Sequence, residues 1–169
     1  MVDAGVYEPE ARIELVDGYL IDMPPQGPPH SGAVTAFQLY IQRALRERAL
    51  VRAQIPLPIS PYSQPEPDIA IVRWNDRLYR DRHPASHEIY AVIEISYSSL
   101  QFDRGVKRRV YGSAHVPEYW IVDVHAETIE LCREPNDLGY ASIAIARRGG
   151  TVSFAAFPDV VFTVDELLG

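Results

Sequence analysis

Three short runs constrain this chain most. Asp68-Ile69-Ala70-Ile71-Val72, Glu88 to Ser96 and Glu118 to Asp123 are apolar and rich in β-branched or aromatic residues. Such side chains fit extended, half-buried backbone. Their near-continuous apolar character, with little alternation, marks strands covered on both faces. A sheet of such strands needs a layer on each side. The expected fold class is therefore α/β or α+β: a mixed central sheet flanked by helices.

The remaining segments fill in that plan. Arg12 to Met23 reads as a hairpin, because Asp17-Gly18 between two apolar runs supplies turn residues that tolerate positive φ. A helix is expected to open at His30-Ser31, with Ser31 as N-cap, and to run to about Ala49. Its stripe is Val34, Phe37, Leu39, Ile41, Leu45 and Leu50. Val51 to Leu57 reads as a strand, and Phe102 to Ala114 as a helix. Thr128 to Arg133, Tyr140 to Ala146 and Thr151 to Phe154 form a closing meander, and Val164 to Leu168 a last helical turn. The prolines gather at Met23 to Pro29 and at Pro56 to Pro67, which predicts a loop and an edge segment rather than a central strand. Neither looks like a linker, so residues 1–169 are read as one domain.

Composition narrows the function classes. The chain has 169 residues and a formal charge of −7. That length buries a core without disulfides or a structural metal. No apolar run is long enough for a membrane span. Asp3, Glu8 and Glu10 precede the first basic residue, Arg12, which is the wrong charge for a signal or transit peptide. The single cysteine, Cys132, has no internal partner, and a reducing cytoplasm is the simplest expectation. The acidic balance argues against chain-wide affinity for phosphate, although a nuclease that concentrates carboxylates at its site needs only a local basic rim.

Two carboxylates stand where an ionised group is unwelcome. Asp68 opens a buried strand, and Glu94 lies inside Val92-Ile93-Glu94-Ile95. A buried carboxylate shifts its pKa, pairs, or binds a cation. On neighbouring strands the two could hold a divalent metal through hard oxygen donors; alternatively, Asp68 caps a turn and Glu94 pairs with an arginine. Of the 16 basic residues only Lys107 is lysine. A compact ammonium, whose pKa can fall on burial whereas arginine stays charged, suits a residue that contacts an attacking water or a phosphate. Asp103, four residues before Lys107, reads as its helix-face partner. Tyr119 and Trp120 read as packing residues and Asp123 as a turn cap. The histidines at 83, 87, 115 and 125 lack zinc-ligand spacing.

The order of motifs then becomes informative. Glu14-Leu15-Val16-Asp17-Gly18, His30-Ser31, Pro67-Asp68-Ile69-Ala70-Ile71-Val72, Val92-Ile93-Glu94-Ile95-Ser96, Asp103 with Lys107 and Tyr111, and Val116-Pro117-Glu118-Tyr119-Trp120-Ile121-Val122-Asp123 follow one another. This series resembles the Uma-two family of endonuclease-like proteins, within the PD-(D/E)XK restriction-endonuclease-like superfamily. The resemblance spans about residues 10 to 168. It implies a restriction-endonuclease-like sheet with the site at one edge. It also implies Asp68 and Glu94 as catalytic metal ligands, Glu14 completing the acidic cluster, and Mg²⁺ or Mn²⁺ as cofactor. The superfamily lysine usually follows the strand glutamate by two residues. That position here is Ser96, and Lys107 matches the place to which the lysine has moved.

The reading that follows is a metal-dependent endonuclease-like phosphodiesterase acting on nucleic acid, with DNA as the first expectation and a 5′-phosphate product. Ser96, His30 and Tyr111 are expected as accessory residues. Arg43, Arg46, Arg104, Arg108 and Arg109 are expected to rim the site and meet the nucleic-acid backbone. A homodimer would suit cleavage of two strands. The alternative is a catalytically silent nuclease fold used for binding or assembly, which the acidic charge and the displaced lysine favour. An acyl hydrolase lacks its Gly-x-Ser-x-Gly elbow.

Overall fold

The computed structural model describes residues 12–23 and 25–169; the acidic opening segment and Pro24 lie outside the described residues. A hairpin of β1 (Ile13–Val16) and β2 (Tyr19–Asp22) comes first, turning on Asp17 and Gly18, both at positive φ. Helix α1 (Pro28–Leu45) follows. Then come β3 (Ala49–Ala53), β4 (Ile69–Arg73) and β5 (Ile89–Ser96). A continuous helical run, α2, occupies 100–113 and is π-helical over Asp103–Lys107. Strands β6 (Glu118–Asp123), β7 (Thr128–Asn136), β8 (Gly139–Arg147), β9 (Thr151–Phe154) and β10 (Phe157–Thr163) precede the short helix α3 (Val164–Leu168).

Six strands form one sheet in the order β3-β4-β5-β6-β7-β8. Only β5 and β6 run parallel, joined by α2; every other neighbouring pair is antiparallel. The sheet is mixed and covered on both faces, as the apolar runs require. Alternation along β5 divides its side chains between two cores. Ala91, Ile93 and Ile95 pack with Phe37, Ile41 and Leu45 of α1, and with Trp120, Phe154 and Phe162. Val92 faces the other way, with Tyr119, Ile121 and Cys132, under Val110 and Tyr111 of α2 and Val16 of the hairpin. Glu94 continues this second face, which places a carboxylate beneath α2.

Several sequence expectations are corrected. Helix α1 starts earlier, because Pro28 and Pro29 occupy its first positions, where proline loses no hydrogen bond. Its N-cap is therefore Gly27, and Ser31 sits inside, donating its hydroxyl to the Gly27 carbonyl. Leu39 is 45% exposed and lies off the buried stripe. The third strand begins at Ala49 and ends at Ala53, before the prolines. Strand β10, which contains Pro158, was not anticipated; it pairs only with β9, outside the main sheet, where proline is tolerated.

Candidate active site

Register brings the two unusual carboxylates together. Ile69 pairs with Ile93 across antiparallel β4 and β5, so Asp68, one residue before Ile69, stands opposite Glu94. Directly opposed residues share a face. The backbone then pins both side chains: Ile95 N–H donates to Asp68 Oδ2 at 2.8 Å, and Asp68 N–H to Glu94 Oε2 at 3.3 Å. Both carboxylates line a cavity of about 240 Å³. Its walls come from the hairpin, the start of α1, the end of β5 and the start of α2, with Glu14, His30, Phe102, Asp103 and Lys107 also contributing.

Lys107 reaches this pocket from α2. Its ammonium donates to Glu94 Oε1 at 2.9 Å and lies 3.3 Å from Glu14 Oε2. The 13-position separation of Glu94 and Lys107 is thus closed by the fold. Tyr111, one turn on, donates its hydroxyl to the same Glu94 oxygen at 2.9 Å. Glu14 also accepts from Glu66 N–H at 3.2 Å, which ties the hairpin to the segment before β4.

Electrostatics follow from burial. Glu94 is almost fully buried, and burial, reinforced by Asp68, Asp103 and Glu14, pushes its carboxyl up to about 8 although Lys107 opposes this. For Lys107, burial alone would lower the pKa; Glu94, Glu14 and Asp103 outweigh it, and the net shift is upward. A lysine pKa can fall on burial, but here the surrounding carboxylates hold the ammonium charged. Burial and Glu94 push the Tyr111 phenol well up, so it stays a donor. His30 Nε2 lies 3.1 Å from Asp68 Oδ2, and that hydrogen bond raises the imidazole's pKa.

Asp103 departs from the expected pairing with Lys107. Its Oδ2 accepts from the Ser96 hydroxyl at 2.7 Å and the Ser99 hydroxyl at 2.6 Å. The π-helical turn, with i→i+5 bonds, breaks the spacing that makes i and i+4 neighbours. Ser96 is thereby placed: buried behind the pocket, it braces the start of α2 through Asp103, which does line it. Asp123 accepts from Ala126 N–H, as a turn cap does.

The arginine rim does not form around this pocket. Arg43 and Arg46 lie at the far end of α1 from His30, roughly 20 Å along the axis at the helical rise. Arg104 is held by the buried carboxylates of Glu130 and Asp123. Arg109 pairs with Asp17. Neither Arg108 nor any of the others lines the cavity, whereas Arg12 does. Two further residues escaped the sequence reading. Gln54, one position beyond β3, offers Nε2 to Asp68 Oδ1 at 3.4 Å and to Gln26 at 2.6 Å. Glu66 lines the pocket, and burial raises its pKa. Register is the signal for Gln54, since Ala53 pairs with Ile69.

Among the described residues no three His, Cys, Asp or Glu side chains converge as a closed metal site. The reason is visible: Lys107 occupies the space between Glu94 and Glu14, so the third carboxylate serves the ammonium. Asp68 and Glu94 remain as a facing pair of hard oxygen donors. That set fits Mg²⁺ or Mn²⁺, since Mg²⁺ is commonly bound by one or two carboxylates, with water and phosphate oxygens completing its shell.

A mixed sheet that brings two carboxylates together on neighbouring central strands, with a lysine reaching them from α2, is the arrangement expected of a restriction-endonuclease-like fold. The Uma2 family model, described as "Putative restriction endonuclease", matches residues 5–165, and the chain belongs to that family. Among solved structures it is similar to a protein from Anabaena variabilis titled as "a putative nuclease belonging to DUF820". The TM-score is 0.77 at 17% identity, over 98% of this chain and 94% of that one, a likeness of fold. A search of curated proteins finds no match. Among the described residues no helix is long and apolar enough to cross a membrane.

Proposed function

We propose that this protein is a divalent-metal-dependent endonuclease that hydrolyses phosphodiester bonds in nucleic acid. One observation carries the reading: Asp68 and Glu94 face each other in a pocket whose buried ammonium, Lys107, touches Glu94. Asp68 and Glu94 would hold Mg²⁺ or Mn²⁺. Such an ion would supply Lewis acidity toward a phosphate oxygen and would make water a better nucleophile. The protein's own groups do the rest. Backbone N–H groups of Ile95 and Asp68 fix the two carboxylates, so little reorganisation is needed when substrate arrives. Lys107 offers fixed positive charge against the negative charge that builds on the phosphate. Tyr111 holds Glu94 in place. Ser96 supports α2 and hence Lys107 through Asp103. His30 positions Asp68 from the start of α1.

The second reading is a silent fold used for binding. Among the described residues the arginine lining of the pocket is Arg12 alone, which, in a chain of charge −7, favours it. Incubating DNA and RNA, single- and double-stranded, with Mg²⁺ or Mn²⁺ separates the two. Cleavage only with metal, lost in folded Asp68→Ala and Lys107→Ala, supports the nuclease. An inert parent on every substrate, or variants that cut as well as the parent, rejects it.

A further inference from the structure

The two edges of the six-stranded sheet are treated differently. At β3, the Gln42 side chain of α1 occupies the start of the edge: its Oε1 accepts from Val51 N–H at 2.8 Å and its Nε2 donates to the Ala49 carbonyl at 3.2 Å. At β8, among the described residues, no side chain or loop bonds the outward backbone groups between Ala141 and Ala146. This edge strand is nine residues long. It carries no charge or proline from Tyr140 to Ala146, and Ile143 and Ile145 are 45% and 53% exposed. Edges that must stay unpaired are usually blunted by lysine, proline, a bulge or a cover. Among the described residues this one has none of these within that span.

Its charges are arranged for its own likeness. Asp137 sits in the turn before β8 and Arg147 at its C-terminal end, both exposed. Antiparallel self-pairing centred on Ser142 sets Arg147 opposite Asp137 of the second copy, and the two-fold axis repeats the contact. The same register sets Ile143 opposite Ala141. It also makes the two Ile143 side chains diagonal neighbours on one face, within reach of each other.

We propose that the chain forms a two-fold homodimer by antiparallel pairing of β8 with β8, which joins two six-stranded sheets into one. The two-fold uses the β8 edge of both copies, and Gln42 occupies the start of the β3 edge, so assembly stops at two. The occupant is a second copy because β8 supplies the apolar centre and Arg147, and the turn just before it supplies the complementary Asp137.

Sedimentation equilibrium from low to high micromolar protein tests this. The parent is expected at twice the monomer mass. Ile143→Lys and Ile145→Lys, each at an exposed position, are expected to be monomeric with unchanged circular dichroism. Arg147→Glu should weaken the dimer about tenfold or more, in line with the cost of like charges at an interface. Adding Asp137→Arg should restore it, which a purely local effect on folding would not do. A parent that is monomeric throughout, or that forms open polymers, overturns the proposal. So do lysine variants that remain dimeric, or a charge exchange that fails to restore association.

Discussion

Replacing Lys107 with methionine gives the sharpest stability test. Methionine keeps an unbranched apolar stem and deletes the ammonium. The side chains of Lys107, Glu94 and Glu14 are 8%, 6% and 4% exposed, so solvent does little to compensate. Removing one partner of a buried pair costs about 3–5 kcal/mol. Proton uptake changes that figure with pH. Glu94 titrates at about 8 in the folded protein, against an ordinary 4.5. Between those values the unfolded chain has released a proton that the folded protein keeps, so stability falls as pH rises, then levels off above about 8. Without Lys107 the Glu94 pKa climbs further, and the fall continues into more alkaline solution. Below about pH 7 Glu94 is mostly neutral in either protein, and the variant loses chiefly the Glu14 contact, about 2 kcal/mol. At about pH 9 the loss should approach 3–5 kcal/mol. Urea unfolding at both pH values, with m-values matched, measures the difference. A variant as stable as the parent, or a loss that is the same at both pH values, refutes the reasoning.

Other expectations follow from local geometry. Gly112→Ala would drive a Cβ into the Gly139 carbonyl, where α2 meets β8, and should cost about 1–3 kcal/mol in urea unfolding. The Arg82 guanidinium holds Glu88 down at about 2, against an ordinary 4.5. A depressed folded pKa means its stabilisation is present above about 4.5 and lost as pH falls toward 2. Because Arg82 is half-exposed, Glu88→Gln should cost no more than about 1 kcal/mol near neutrality. It should also flatten the acid limb of a pH–stability curve over that interval. Ser96→Ala leaves the buried Asp103 with the Ser99 hydroxyl only, and should reduce cleavage more than it reduces melting temperature.

Much of the fold was legible because its strands carry their own signals. Glu118–Asp123 and Thr151–Phe154 fall where β-branched and aromatic runs predict them. Asp17-Gly18 fixes the hairpin by turn chemistry alone. The departures have physical causes. The expected N-cap at Ser31 failed because Pro28 and Pro29 are favourable at the first helical positions. The Asp103–Lys107 pairing failed because a π-helical turn leaves no clear trace in residue spacing. The pairing of Lys107 with Glu94 depends on α2 crossing over the end of β5, and no local pattern encodes that. The arginine rim was inferred from residue type, yet Arg104 answers to Glu130 on β7, a partner visible only once the sheet is assembled.

The central claim is that the Asp68–Glu94 pair holds a divalent cation. Titrating Mn²⁺ into the metal-free protein by calorimetry addresses it directly, with Asp68→Asn, Glu94→Gln and the distant Glu166→Gln in parallel. One ion per chain for the parent and for Glu166→Gln, with affinity at least about tenfold weaker in the two site variants, is the predicted result. Site variants that bind Mn²⁺ as well as the parent, or a parent that binds none, would contradict it.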